Sequence, residues 1–426
     1  MLLQQFVERV RTGQIPSSQA IAETLRAIAE REPQLRAWTH VAPTEPLLAQ
    51  AEAVDTSLPL AGVPFGVKDI IDVAGMPTRY GSSVTLTDPR PYDAACVDML
   101  RRAGAIPVGK TVTAEFAYKA PGLTVNPHDS GHTPGGSSSG SAAAVAAGMV
   151  PLALGTQTGG SMIRPAAYCG VVGFKPSFGL VPRDGMKITC ESLDVIGWYA
   201  PTVEDVTYAA RVLLPDPTRA VAPSGPMRVV IIPGPAVAPL QPEAEQALRQ
   251  ATEALRQAGH EIRIMDAFTQ AQRILAAHAT IMEYELSRNI APVARVHSGG
   301  LSDFLTSTIA RGLRIDAATY REARQFQVEM QQGWCALLGD ADLVMTASAP
   351  GAAPAGLAST GDAVFNKIWS VLGWPCLHLP FMVKLDTNLP VGVQLIGRLG
   401  QDVQFLSIAA LVRDVLREQG PPRQVA

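Results

Sequence analysis

Residues 133–176 hold two clusters of glycine and serine, separated by an alanine-rich stretch and a short apolar run. In the second cluster, Gly155-Thr-Gln-Thr-Gly159-Gly160-Ser161 follows the apolar residues 151–154. Consecutive glycines let main-chain N–H groups converge on one point with no side chain in the way. Such a nest beside a hydroxyl is what acyl transfer needs, a nucleophile and an oxyanion hole. An ordinary strand-end turn would use the same glycines, and the first cluster has the composition of a flexible linker. A linker, however, does not run straight into a helix-forming alanine stretch and a buried strand. Serine alone is a weak nucleophile and needs a base. The chain has no His–Asp pair at an obvious partner spacing and no S-x-x-K. A lysine acts as a base only when desolvated enough to be neutral near pH 7. Lys68, in Gly62-Val-Pro-Phe-Gly-Val-Lys68-Asp-Ile-Ile, has apolar neighbours on both sides. Most lysines are solvated surface charges, and the residues alone leave that alternative open.

Three other patterns match motifs without their context. Gly104-Ala-Ile-Pro-Val-Gly109-Lys110-Thr111 fits G-x-x-x-x-G-K-T, but a helix precedes it and a proline-containing apolar strand fills its middle. A phosphate-binding loop follows a strand and opens a helix. Gly136-Ser-Ser138-Ser-Gly140 fits G-x-S-x-G, but a polar Pro/Gly-rich loop stands where a nucleophile elbow needs an apolar strand. His128 and His132 have the spacing of paired zinc ligands, which face one metal only on a helix. Their segment, Asn-Pro-His-Asp-Ser-Gly-His-Thr-Pro-Gly, reads as a loop, so no metal is expected.

Lys68, the Gly/Ser-rich segment with Ser137, and Gly159-Gly160-Ser161 together resemble the amidase signature family, whose members use a Ser–Ser–Lys triad. Ser137 precedes Ser161 by 24 residues, the usual spacing there. The likeness extends to Pro64-Phe-Gly-Val-Lys68-Asp69, Gly109-Lys110-Thr111, Gly373-Trp374-Pro375 and Leu389-Pro-Val-Gly-Val-Gln-Leu395, and so covers most of the chain. It implies a Ser161 nucleophile, a bridging Ser137 held by a cis Gly136–Ser137 peptide, and a neutral Lys68 as the base. The N–H groups of Thr158, Gly159, Gly160 and Ser161 would form the oxyanion hole, with no cofactor and no metal. It further implies hydrolysis of the C–N bond of a small linear amide through a seryl acyl-enzyme.

One departure stands out. Many members read Asp-Thr-Gly-Gly-Ser-Ile-Arg, whereas this chain reads Gln157-Thr-Gly-Gly-Ser161-Met-Ile-Arg164. The arginine falls three residues after the serine rather than two. Together with Asn126-Pro-His-Asp-Ser-Gly-His-Thr-Pro-Gly-Gly136, that variant resembles malonamidase E2-like enzymes, which hydrolyse small carboxylate-bearing amides such as malonamate. It counts against the alternative, a glutaminase-type subunit of a tRNA amidotransferase; a catalytically silent family member is a third reading. Arg164 is expected to bind a substrate carboxylate bidentately or to serve as a structural cation. Gln157 is expected either to hydrogen-bond in the pocket or to be a buried turn amide.

The elements that must position these groups alternate. Helical periodicity marks two helices within residues 2–31, and others over 45–54, 93–102 (stopped by Gly104) and 141–149. Strands are expected at 105–108, 151–154, 228–232, 261–265, 343–346 and 391–396. Further helices are expected at 243–257, 267–289, 317–338 and 401–418, with a loop carrying Pro215, Pro217, Pro223 and Pro226 before the second half. Alternating strands and helices argue for an α/β fold layered around one sheet. With the resemblance, this becomes a single large α/β/α domain around a central mixed sheet, spanning residues 1–426. Its signature core is placed at about 60–200 and a variable, substrate-shaping region at about 270–370. The strand order is not readable.

Composition narrows the partners. Of the 426 residues 47% are apolar and 17% charged, enough for a large core and too few charges for a disordered chain. The net charge of −3 gives no basic excess to draw nucleic acid or anionic membrane. A small-molecule partner is expected, with a homodimer as the default assembly. With five scattered cysteines and no signal-peptide pattern, a cytoplasmic protein is expected.

Overall fold

The computed structural model describes residues 2–84, 87–215, 225–266, 268–297, 299–383 and 387–418. Pro217, Pro223 and Ala267, named in the expectations above, lie outside them. Along the chain run α1 (Leu3–Arg11), α2 (Ser17–Leu35), β1 (Trp38–Val41), α3 (Thr44–Glu52), β2 (Pro64–Lys68), α4 (Ala95–Arg102) and β3 (Ile106–Thr111). Then come α5 (Ser139–Ala146), β4 (Leu152–Gln157), α6 (Ile163–Cys169), β5 (Val172–Lys175), β6 (Val195–Ala200) and α7 (Val203–Leu213). The second half holds β7 (Arg228–Ile231), α8 (Pro242–Gln257), β8 (Glu261–Ile264), α9 (Ala271–Val296), α10 (Asp303–Gly312), α11 (Ala317–Gln331) and α12 (Trp334–Leu338). It closes with β9 (Leu343–Ala347), α13 (Val364–Leu372), β10 (Cys376–Val383), β11 (Pro390–Ile396) and α14 (Asp402–Glu418).

Among the described residues, eleven strands form one sheet in the order β1-β3-β2-β4-β6-β5-β10-β11-β9-β7-β8. Its direction is mixed. β2 runs parallel to β3 and β4, and β7 parallel to β8 and β9, while the strands between them pair antiparallel. Successive side chains alternate between the two faces. Val67 with Leu152, Leu154, Leu377 and Leu395 packs on one side beneath α1, α4, α7, α14 and the Leu248–Leu255 stripe of α8. On the other side α2, α3 and α5 cover Ile106, Val108 and Ala153, while α9, α11 and α13 cover Val230, Val344 and Ile396. Both faces are thus helix-covered, and the chain is a single α/β domain around a large mixed sheet.

Most expected elements are present with shifted ends. The helix expected over 317–338 is two, because Gly333 separates α11 from α12. Helix α5 begins two residues before the expected start, at Ser139. Its small residues let it approach the sheet so closely that the Gly140 N–H donates to Val112 O at 3.0 Å. Gly104-to-Thr111 is a helix stop and strand β3, with Lys110 buried inside. The five cysteines are unpaired. No helix among the described residues is long and apolar enough to cross a membrane.

Candidate active site

Strand β2 ends on Lys68, which is completely buried on the α5 side of the sheet. Its Nζ lies 2.8 Å from Ser137 Oγ and 2.7 Å from Thr156 Oγ1, with Thr156 O more distant at 3.5 Å. No carboxylate touches it among the described residues. Burial drives its pKa well below the ordinary lysine value; the field of Asp194 opposes that shift and the field of Arg164 adds to it. Burial thus favours the uncharged form of an amine that contacts a serine hydroxyl.

Ser137 follows a cis peptide bond from Gly136. The main chain on both sides of that bond is fixed from outside. Arg164 Nη2 donates to Gly136 O at 2.6 Å, and the Ala114 N–H donates to Ser137 O at 3.1 Å. The central serine of the apparent elbow motif is a staple: Ser138 Oγ accepts from Thr156 N and donates to Thr156 O, both at 3.1 Å. This ties the start of α5 to β4, whose end leads directly into residues 158–161.

Ser161 is 8% exposed and lines a cavity of about 300 Å³ together with Thr158, Gly159, Gly160 and Arg164. Its carbonyl accepts from Tyr199 Oη at 3.0 Å, and its Oγ makes no hydrogen bond among the described residues. Catalytic hydrogen bonds are often long in a site without substrate.

The loop 158–161 is held by its carbonyls. His278 Nε2, on α9, lies 3.2 Å from Thr158 O. Ser370 Oγ, on α13, donates to Gly159 O at 2.8 Å, and the Arg164 N–H, on α6, donates to Gly160 O at 3.0 Å. In a trans peptide the N–H points opposite the C=O. Anchoring these three carbonyls therefore turns the N–H groups of Gly159, Gly160 and Ser161 the other way, and none of them has a protein acceptor among the described residues. His278 is buried, with its pKa pushed down to about 4 mainly by desolvation, so its ring is neutral near pH 7. A Cβ on Gly160 would meet Asn366 Oδ1 at 2.5 Å and Ala363 Cβ at 2.6 Å, so only glycine fits there. Thr158 Oγ1 donates to the buried Asp194, which also accepts from the Thr189 and Cys190 N–H groups at 2.8 and 2.9 Å. Burial raises the Asp194 pKa, and these hydrogen bonds offset part of the rise.

The expectations for the remaining residues divide. Arg164 lines the cavity, yet two of its donors are spent on carbonyls, Gly361 O at 2.7 Å and Gly136 O at 2.6 Å. Its Nε is buried without a hydrogen-bond partner. Gln157 is not a pocket residue, which corrects its place as a substrate ligand. It is fully buried, its Oε1 accepts from the Met162 and Ile163 N–H groups at 2.9 and 3.1 Å, and its Nε2 donates to Ser370 Oγ at 3.0 Å. The side chain is the internal brace of the turn. His128 Nε2 sits 2.9 Å from Cys169 O and His132 pairs with Asp129, and among the described residues no metal-ligand cluster forms. Sequence reasoning missed Thr156, Asp194, His278 and Ser370. Thr156 was within reach, one residue before Gln157. The other three approach from segments with no motif.

Comparison with known proteins fits this geometry. The amidase family profile matches residues 19–406. The glutamyl-tRNA(Gln) amidotransferase A subunit of Synechococcus sp. (strain RCC307) is 31% identical, covering 94% of each chain. Its counterpart from Thermus thermophilus is 32% identical over 96% of each. Among solved structures, native peptide amidase from Stenotrophomonas maltophilia superposes with a TM-score of 0.83 at 26% identity, covering 100% of this chain and 99% of that one. A chain from a vestigial protein complex bearing on the origins of an s-triazine catabolic enzyme gives 0.89 at 28%, covering 100% of both. These relatives point to amidotransferase A subunits and do not single out the malonamidases. The narrower resemblance rested on one arginine position and one loop, whereas the likeness to the A subunits extends over nearly the whole length. With a profile matching most of its length and relatives above 30% identity throughout, this chain belongs to the amidase family.

Proposed function

We propose that the protein hydrolyses the C–N bond of a small carboxylate-bearing amide through a seryl acyl-enzyme, with Lys68, Ser137 and Ser161 as its catalytic residues. The observation that carries this reading is the buried Lys68 amine, 2.8 Å from Ser137 Oγ and free of carboxylate contact among the described residues. Ser161 Oγ attacks the amide carbon and forms the C–O bond. Its proton passes to Ser137 Oγ while Ser137 gives its own to the neutral Lys68 Nζ. The oxyanion is received by the N–H groups of Thr158, Gly159, Gly160 and Ser161, of which the last three are turned into position by the anchored carbonyls. Collapse breaks the C–N bond, and the relay running backwards protonates the departing nitrogen. Water, deprotonated through the same two groups, then cleaves the ester to release the carboxylate and restore Ser161. Arg164, cationic and without a carboxylate partner among the described residues, supplies the electrostatic reason for an acidic substrate. The region of about 270–370 shapes the pocket through α9 and α13.

Within this class, the likeness to amidotransferase A subunits backs glutamine, hydrolysed within a multi-subunit amidotransferase, better than malonamate. Malonamate keeps one observation in its favour, the spacing of Arg164. An ammonia-release screen over neutral and carboxylate-bearing amides tests the reaction, with fluorophosphonate labelling of Ser161 as an independent readout. An active Ser161→Ala enzyme would refute it. Glutaminase activity that appears only with copurified subunits would decide for the amidotransferase.

A further inference from the structure

The cavity beside Ser161 is lined by three basic side chains, Arg164, Lys119 and Lys367. None of them forms a salt bridge among the described residues. Two carboxylates also line it, and one is already neutralised: Glu283 accepts from Arg311 Nε and Nη2 at 3.0 and 2.7 Å. The other, Asp362, is exposed and caps the first turn of α13, accepting from the Val364 N–H at 3.0 Å. His278 is neutral near pH 7 and adds no charge, and burial favours the uncharged form of Lys68. The wall therefore presents an excess of positive charge larger than one substrate carboxylate would balance.

The two lysines stand on different elements at different depths. Lys367, half-buried on α13, packs its Cγ 3.6 Å from the point where a Cβ on Gly159 would lie, so its stem rests on the oxyanion loop. Burial lowers its pKa, Asp362 offsets part of that, and repulsion from Lys119 and Arg164 adds to the lowering, so an incoming anion would relieve both costs. Lys119 is exposed at the rim, its Nζ 5.5 Å from the centre of the Tyr118 ring.

We infer that Lys367 and Lys119 form a second anion subsite, so that the preferred substrate carries two anionic groups beside the scissile amide, one toward Arg164 and one toward the lysine pair. This rests on the amidase reading above and narrows its substrate class. Glutamine, whose ammonium cancels its own carboxylate, is a poorer match to this wall than an amide with two carboxylates.

The test compares succinamate, carboxysuccinamate (the same amide with a second carboxylate), glutamine and propionamide at low salt. Carboxysuccinamate is expected to exceed succinamate in kcat/KM by about tenfold, the scale of one partly desolvated charge-assisted contact. Lys367→Met should erase most of that advantage and Lys367→Arg restore it. Lys119→Met should remove a smaller share, and one that added salt also removes, because Lys119 is exposed. A preference for glutamine or succinamate would overturn the subsite. So would a Lys367→Met enzyme that loses the same factor on all amides, propionamide included, because that would mark the lysine as an aid to the shared oxyanion. If no amide is turned over and fluorophosphonate leaves Ser161 unlabelled, the hydrolase reading fails, and the subsite is then judged by binding alone. Tricarballylate should bind the wild-type protein about tenfold more tightly than glutarate, with the difference lost in Lys367→Met. Equal affinities would overturn it.

Discussion

Lys68 and Lys110 lie on adjacent strands, one residue apart in register, and both are fully buried. Lys110 Nζ is surrounded by Asp69 Oδ1 at 3.0 Å, Thr78 Oγ1 at 2.8 Å and Pro77 O at 3.2 Å, an acceptor for each proton of an ammonium. Lys68 Nζ has two hydroxyls in contact and only a long approach to a carbonyl. Burial pulls both pKa values down. Asp69 pulls Lys110 back through charge and hydrogen bond, whereas Lys68 is raised only by the field of Asp194, against Arg164. Asp69 follows Lys68 directly in sequence yet bonds Lys110. Depth in the core does not by itself make a lysine a base. The chemical kind of its neighbours decides, and a single carboxylate converts the same position into a structural ion pair.

That contrast is sharpest under truncation. Lys68→Met should lower kcat by up to about 10⁴-fold, the upper end of the usual scale for a positioned proton-transfer group, while the protein stays folded. Ammonia release beside a thermal melt checks both halves. Lys110→Met should do the reverse, costing about 3–5 kcal/mol of stability in urea unfolding by leaving the Asp69 charge buried alone. Removing that charge as well, in Lys110→Met with Asp69→Leu, should recover part of the loss. A smaller effect is expected from making one site imitate the other. Thr156→Asp gives Lys68 a carboxylate neighbour, holds it protonated, and should cost about 10²-fold in turnover at neutral pH, with the rate recovering as pH rises. Activity needs the neutral amine, so in the wild type it is present above the depressed Lys68 pKa and lost as pH falls through it. An unchanged pH–rate profile in Thr156→Asp would contradict this account of Lys68.

The smallest effect concerns stability. Between the depressed native pKa and the ordinary lysine value, the unfolded chain holds a proton that the native chain lacks. Stability therefore rises with pH across that window, by at most about 1.4 kcal/mol per pH unit for each such group. Lys110 and Lys175 contribute in the same direction, since burial lowers both. Lys68→Met should flatten the slope without abolishing it, which urea titrations at several alkaline pH values would measure.

The parts of the site that lie close in sequence were legible and the parts that converge from afar were not. Gly159, Gly160 and Ser161 follow a strand whose apolar run is visible, and the Gly/Ser composition of residues 135–141 marks the approach of α5. Strand β2 was harder to read: all five of its residues are buried, so Pro64-Phe-Gly-Val-Lys68 shows no alternation of apolar and polar types. Helix α6 was missed because Pro165 and Arg164 sit in seven residues that give too little periodicity. His278 and Ser370 look like incidental polar residues on long helices, and only the fold brings them to the carbonyls of Thr158 and Gly159. Gln157 shows the converse, since its place beside the glycines left a ligand and a buried turn amide both open and its environment made it the second.

The anchoring of loop 158–161 by α6, α9 and α13 has an engineering consequence. All three of those helices also line the cavity beside Ser161, so the proposed recognition and turnover share hardware. Grafting a foreign specificity wall onto this scaffold would loosen the loop unless His278 and Ser370 travelled with it, and a variant redesigned for affinity alone would bind its new amide and process it slowly.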